Sequence, residues 1–206
     1  MTNKNDAYLT IDEVSEGFYK EKGSKFFGFA IPCTDKTTAK AHIDRLRKEH
    51  HNACHVCFAW RFGTARYEDR FSDDGEPNNS AGKPIFGQIL SYEVTNTLIA
   101  VVRYYGGTNL GVGGLINAYK TAAKEALETA NIKEKYICSH YVLTYDYSDT
   151  GGVMNQLNKL RADISEQGFA NNKPTIHFSV KRSVQAQVEQ AFTELPNVKI
   201  EHLKTL

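Results

Sequence analysis

Apolar and polar residues along the chain follow two periods. From residue 13 to 20 and from 25 to 30 they alternate as strands do, on either side of Glu21-Lys22-Gly23-Ser24, which predicts a hairpin with a charged tip. Over residues 37–49, Ala39, His42, Ile43 and Leu46 share one side, while Lys40, Arg45, Arg47 and Lys48 take the others. That spacing predicts an amphipathic helix with a basic outer surface, capped by Asp35 or Thr37. The period returns to two at residues 55–62, where Val56, Phe58, Trp60 and Phe62 give a strand one strongly apolar face. Gly63-Thr64 then opens a loop, and the apolar residues 85–90 predict a short helix.

The strongest signal is an apolar run at 98–102 that passes through Arg103-Tyr104-Tyr105 into a glycine-rich stretch, residues 106–114. Beyond it Leu115, Ala118, Tyr119, Ala122, Ala126 and Ala130 recur at helical spacing, with Lys124 and Glu128 one turn apart on another side. A strand, a tight turn and a long buried helix are expected. Residues 134–139 read as a short connection. In the tail, Tyr141, Leu143 and Tyr145 alternate with polar positions, and Val153, Met154, Leu157 and Leu160 are spaced for a helix. A strand from Ile164, the turn Asn171-Asn172-Lys173-Pro174, a strand with Ile176, Phe178 and Val180 inward, a helix from Val184 to Leu195 and a last strand at Val198 and Ile200 complete it. The order βαββαβ, over about 70 residues, is that of a ferredoxin-like domain. The chain is expected to be an α+β protein of two domains, 1–135 and 136–206.

Composition narrows the function. A formal charge of +1 over 206 residues gives no global case for nucleic-acid binding, so a basic site must be local. Residues 20–48 supply one, with eight basic residues against three acidic; Lys20, Lys22, Lys25, Lys40 and Arg47 are the candidate contacts to RNA or the ribosome. No stretch approaches the ~20 apolar residues of a membrane span, and the polar start, residues 1–6, has no signal-peptide core. A cytoplasmic protein without membrane contact is expected, its four cysteines reduced. His50-His51-Asn52-Ala53-Cys54-His55-Val56-Cys57 suggests zinc, but Cys54 and Cys57 point to opposite faces of an extended strand and no second Cys/His pair follows at ligand spacing. No metal and no cofactor is expected.

Two stretches carry candidate chemistry. The glycine-rich turn offers unpaired backbone N–H groups and the positive end of a helix beside Arg103, a natural phosphate site. The same glycines would equally let the helix pack closely on its strand. In the loop, Asp73, Asp74 and Glu76 precede Asn78-Asn79-Ser80 and Lys83. These carboxylates could cap turns and the following helix, or act as base or metal ligand on a phosphorylated substrate. The candidate phosphate contacts are Arg103, Gly106, Gly107, Asn109, Gly111, Gly113, Lys83 and Ser80. Cys57 with His55 is a further candidate nucleophile pair.

Phe71-Ser72-Asp73-Asp74-Gly75-Glu76-Pro77, Ala81-Gly82-Lys83-Pro84, Val102-Arg103-Tyr104-Tyr105-Gly106-Gly107 and Leu110-Gly111 through Gly113-Gly114-Leu115 together closely resemble the YigZ/IMPACT family. His55, Cys57, Ala59 and Trp60 resemble that family's earlier strand, and the tail resembles the extra ferredoxin-like domain of its bacterial YigZ type. Two departures stand out: Asn79-Ser80 where the family usually has Gly-Thr, and Cys54 where Thr or Ser is common. The resemblance implies that the first domain is an α/β sandwich like the second domain of a small-subunit ribosomal protein, a fold shared with elongation factor G and GHMP-type kinases. It also implies a link to translation control. Two functions follow as expectations: a non-catalytic protein that binds RNA, the ribosome or another phosphate-bearing ligand, or an enzyme acting on a small phosphorylated or nucleotide substrate through the acidic loop and glycine turn. No Walker-type Gly-Lys-Ser/Thr string supports the second.

Overall fold

A computed structural model of the chain describes residues 6–193, 195 and 197–205; residues 1–5 of the polar start lie outside the described residues. The chain divides into two compact units, one of residues 8–135 and one in which residues 136 onward gather Asp6 and Ala7 from the start. Both mix helices and strands.

The first unit is built on a five-stranded antiparallel sheet. β2 (Ser15–Glu21) and β3 (Ser24–Pro32) form the expected hairpin, closed by Lys22 and Gly23 with φ of 45° and 83°. Two residues of positive φ make the tight turn that matches strand twist. β6 (Thr97–Tyr104) lies at the centre between β3 and β4 (His55–Phe62), and β5 (Glu68–Ser72) adds an edge, giving the order β2-β3-β6-β4-β5. β5 is an addition to the expected loop, and so is a separate pair of strands, β1 (Ala7–Ile11) with β7 (Ile132–Tyr136), that takes up part of the expected connection at 134–139.

Helices cover both faces. α1 (Lys36–Glu49) is capped by Asp35, whose carboxylate accepts from the Thr37 and Thr38 backbone N–H groups at 2.9 Å, and it buries Ala39, Ile43 and Leu46 against Val56, Phe58, Trp60 and Phe62. Phe58, Trp60 and Phe62, at alternate positions of β4, stack nearly parallel with centroids 5.2 and 5.4 Å apart. The opposite face of β4 is apolar too: Cys57 and Ala59 join the core under α2 (Gly82–Ser91) and α3 (Gly111–Glu128). Small side chains there hid a strand buried on both faces. α3 presses closest onto the hairpin, where Gly17 and Gly28 are cross-strand partners; a Cβ on either would lie 2.3 Å from the α3 backbone, at Ala126 N and Ala122 O.

The second unit has β8 (Cys138–Thr144), α4 (Thr150–Lys159), β9 (Asp163–Ala170), β10 (Lys173–Lys181), α5 (Gln185–Thr193) and β11 (Lys199–Thr205), with antiparallel sheet order β11-β8-β10-β9. Tyr141, Leu143, Ile176, Phe178 and Val180 pack on Val153, Leu157, Val188 and Phe192. Asp6 anchors the chain start within this unit: its carboxylate accepts from Arg182 Nε at 3.0 Å and from the Ser183 backbone N–H at 2.6 Å. No helix of the described residues is long and apolar enough to cross a membrane.

Candidate functional site

The acidic loop joins β5 to α2 and folds against β4, and each of its three carboxylates has a structural task. Asp73 caps α2, accepting from the backbone N–H groups of Ala81 at 3.0 Å, Gly82 at 2.8 Å and Asn79 at 2.9 Å. Asp74 accepts from the Val56 N–H at 2.7 Å and from Arg47 Nη2 at 2.7 Å, so it ties the loop to β4 and to α1. Glu76 turns inward, where Arg103 Nη1 and the Tyr119 hydroxyl both donate to its Oε1 at 2.6 Å. Ser80 is fully buried and donates to the Pro77 carbonyl at 2.6 Å, which withdraws it from any ligand.

Arg103 therefore differs from the expectation of a free phosphate clamp. Its side chain is 7% exposed and that of Glu76 4%, and the guanidinium lies 5.5 Å from the Phe26 ring and 5.6 Å from the Tyr105 ring. A buried pair of this kind is kept because losing one partner strands the other's charge, at a cost of ~3–5 kcal/mol. Burial pushes the Tyr119 hydroxyl pKa up, so this group stays a neutral donor to Glu76. His55 borders the pair: Nδ1 sits 2.8 Å from the Asp74 carbonyl and must carry the proton there, and Nε2 is 3.9 Å from Glu76. Cys57 is fully buried, donates to the Asp73 carbonyl at 3.0 Å, and has its thiol pKa pushed up by burial, the reverse of what a nucleophile needs.

The glycine-rich turn meets the hairpin tip. A Cβ on Gly106 would lie 1.9 Å from the Gly23 carbonyl carbon, and the Gly106 N–H donates to Ser24 Oγ at 3.1 Å. Only glycine permits this approach. It sets the Lys22-Gly23 turn against the start of the glycine stretch; further along that stretch Gly107 and Gly111 have positive φ, and the first turn of α3 has no side-chain cap. Gly113 faces open space, and Asn109 is exposed, accepting from the Tyr105 hydroxyl at 3.2 Å. Lys83 is exposed in the first turn of α2.

Beside that junction lies a cleft of about 330 Å³ lined by Gly23, Lys25, Phe27, His50, Tyr104 and Tyr105. On this sheet face Phe18, 50% exposed, packs at a tilt against Phe27 with centroids 5.0 Å apart. Lys20 and Lys25 are direct cross-strand partners. Like charges placed opposite each other are unfavourable, and an anion between them removes the cost. Lys40 lies on the exposed side of α1, while Arg47 is held by Asp74. The aromatic cleft was not legible in the sequence, because its walls come from β3, the end of α1 and the end of β6. The alternation of Phe27 with the buried Phe26 is the signal that could have pointed to it.

A profile described as the Impact N-terminal domain matches residues 22–127. The chain is similar to the IMPACT family member YvyE of Bacillus subtilis, 28% identical over 193 residues, covering 94% of this chain and 88% of that one. It is also similar to the IMPACT family member YigZ of Escherichia coli, 37% identical over 134 residues, covering 64% and 66%. A crystal structure of a protein described as hypothetical superimposes with a TM-score of 0.69 at 27% identity, covering 97% of this chain and 98% of the other.

Proposed function

This chain belongs to the IMPACT family, and on that premise we propose that it is a non-catalytic cytoplasmic protein that binds RNA and acts in the regulation of translation. One observation carries the reading: the glycine turn, the lysine-bearing hairpin tip and an aromatic cleft converge at the end of β6. RNA-binding sheet surfaces take unstacked bases on aromatic side chains and phosphates on nearby cations and backbone N–H groups. Here Phe27, His50, Tyr104 and Tyr105 offer the rings, and Lys20, Lys22 and Lys25 the charge. The N–H groups of Gly107, Asn109, Gly111 and Gly113 are the proposed phosphate cradle, with Lys83 as an outlying contact. Gly106 joins the turn to the hairpin, and Arg103 acts as a positioning residue, holding Tyr105 over the cleft from its pair with Glu76. Association with translation rests on the family resemblance of the sequence motifs. We read the second unit, with β8 and β10 central, as ferredoxin-like, and the first as the ribosomal-protein-type sandwich.

The enzymatic alternative has less support, since Asp73, Asp74 and Glu76 already serve as cap, strand tie and buried counter-ion. The test is equilibrium binding of a short oligouridylate to the full chain and to Tyr105→Ala. Stacking is worth ~1–3 kcal/mol per base, so the variant should bind about tenfold or more weakly with an unchanged melting temperature. Equal affinity of the two proteins would contradict the assignment of the cleft.

A further inference from the structure

Three clefts follow one another around the C-terminal end of α1. The aromatic cleft shares His50 with a second of about 190 Å³, which is lined among others by Arg47, His51, His55 and Asp74. The second shares Arg47 with a third of about 260 Å³, lined by Lys36, Lys40, Asp44, Arg47, Trp60 and Arg70 among others. Four cations and one carboxylate thus line the third cleft, Arg47 among them already held by Asp74. Among the described residues Lys40 and Arg70 make no ion pair; the Arg70 guanidinium instead lies 5.5 Å from the Trp60 ring. Lys36 is paired only with the exposed Glu68, a contact a phosphate can replace at little cost. From Lys36 to Arg47 the helix alone spans roughly 17 Å at ~1.5 Å per residue.

Resting on the RNA reading above, we infer that the ligand is single-stranded, and that it enters by a base in the aromatic cleft and runs past His50 and Arg47 into the Lys36/Lys40/Arg70 cleft. The shared lining residues make the three clefts one path, and the path bends around a helix end, which a stiff duplex does not follow. Its first station needs an unstacked base, which duplex RNA does not present. Its far end is a backbone track: the cations there are exposed while Trp60, 4% exposed, offers only an edge.

Trp60 is the single tryptophan of the chain, so its emission reports on the far cleft alone. The experiment titrates the full chain with oligouridylates of two to eight nucleotides, following heat of binding and Trp60 fluorescence. The dinucleotide should bind without changing Trp60 emission, and the hexanucleotide should bind about tenfold tighter and change it, as one added charge-assisted contact implies. Lys40→Gln combined with Arg70→Gln, both exposed positions, should return the hexanucleotide to dinucleotide affinity while leaving the dinucleotide unaffected. If affinity stops growing at two nucleotides, or the double variant changes nothing, the track is wrong and the aromatic cleft stands alone. If the dinucleotide fails to bind, the RNA reading itself falls. A duplex of equal length that matches the hexanucleotide, or a polyglutamate peptide that changes Trp60 emission as strongly, overturns the single-strand assignment.

Discussion

Arg103 and Glu76 show how one pairing can turn a candidate site residue into a fastener. Read in sequence, an arginine at the end of an apolar strand and beside glycines looks like a phosphate ligand. In the fold it is drawn inward by a carboxylate 27 residues earlier, which no local pattern announces. Arg103→Ala should destabilise the first unit by ~3–5 kcal/mol, read as a fall in the denaturant midpoint, and Glu76→Gln should do so less because the amide still accepts. A full-stability Arg103→Ala protein would show that the pair is idle. Cys57 was legible as a small strand residue, and its environment argues against a nucleophile: burial raises its thiol pKa and the thiol donates to the Asp73 carbonyl. Iodoacetamide on the native protein should therefore label the exposed Cys54 and spare Cys57. Fast labelling of Cys57 would reopen the nucleophile reading.

Elements with a strong period were readable: the hairpin, α1 with its Asp35 cap, and the strand, turn and helix of β6 and α3. The missed ones lack a period. β5 is an exposed edge, Glu-Asp-Arg-Phe-Ser, held by pairing to β4 rather than by an apolar face, and β1 and β7 are short strands paired with each other whose Leu9, Ile11 and Ile132 reach the core of the first unit. The closeness of α3 to the hairpin depends on Gly17 and Gly28, which sequence shows only as breaks in the strand pattern. Gly28→Ala sets a methyl 2.3 Å from the Ala122 carbonyl oxygen, so it should cost ~1–3 kcal/mol as overpacking, in thermal unfolding of the full chain. An unchanged melting temperature would mean that α3 rides higher on the sheet than described.

At the scale of the molecule, the order of elements in the second half was in the sequence, and that of the first half apart from β1, β5 and β7, but the return of Asp6 to the second unit was not, because the pairing spans 176 residues. Burial disfavours the Asp6 charge, but hydrogen bonds from Ser183 and Arg182 more than offset this and hold its pKa below the ordinary 3.8. A lowered carboxyl pKa contributes stability above the unfolded value and loses it as pH falls through the folded one. The second unit should therefore weaken below about pH 4, and Asp6→Asn should be less stable at neutral pH with a shallower acid dependence; identical acid titrations would dismiss the anchor. A fragment of residues 8–135, with both its cores, should unfold cooperatively by itself, and broad unfolding would contradict that independence. The central proposal is that the hairpin tip and glycine turn hold RNA by its phosphates. Its most direct measurement is the slope of log affinity against log salt for a single-stranded oligonucleotide on the full chain. Each phosphate contact adds about −0.7 to that slope, so it should be clearly negative and become shallower in Lys22→Gln/Lys25→Gln. A flat line, unchanged in the double variant, would rule out phosphate contacts at the hairpin tip and glycine turn.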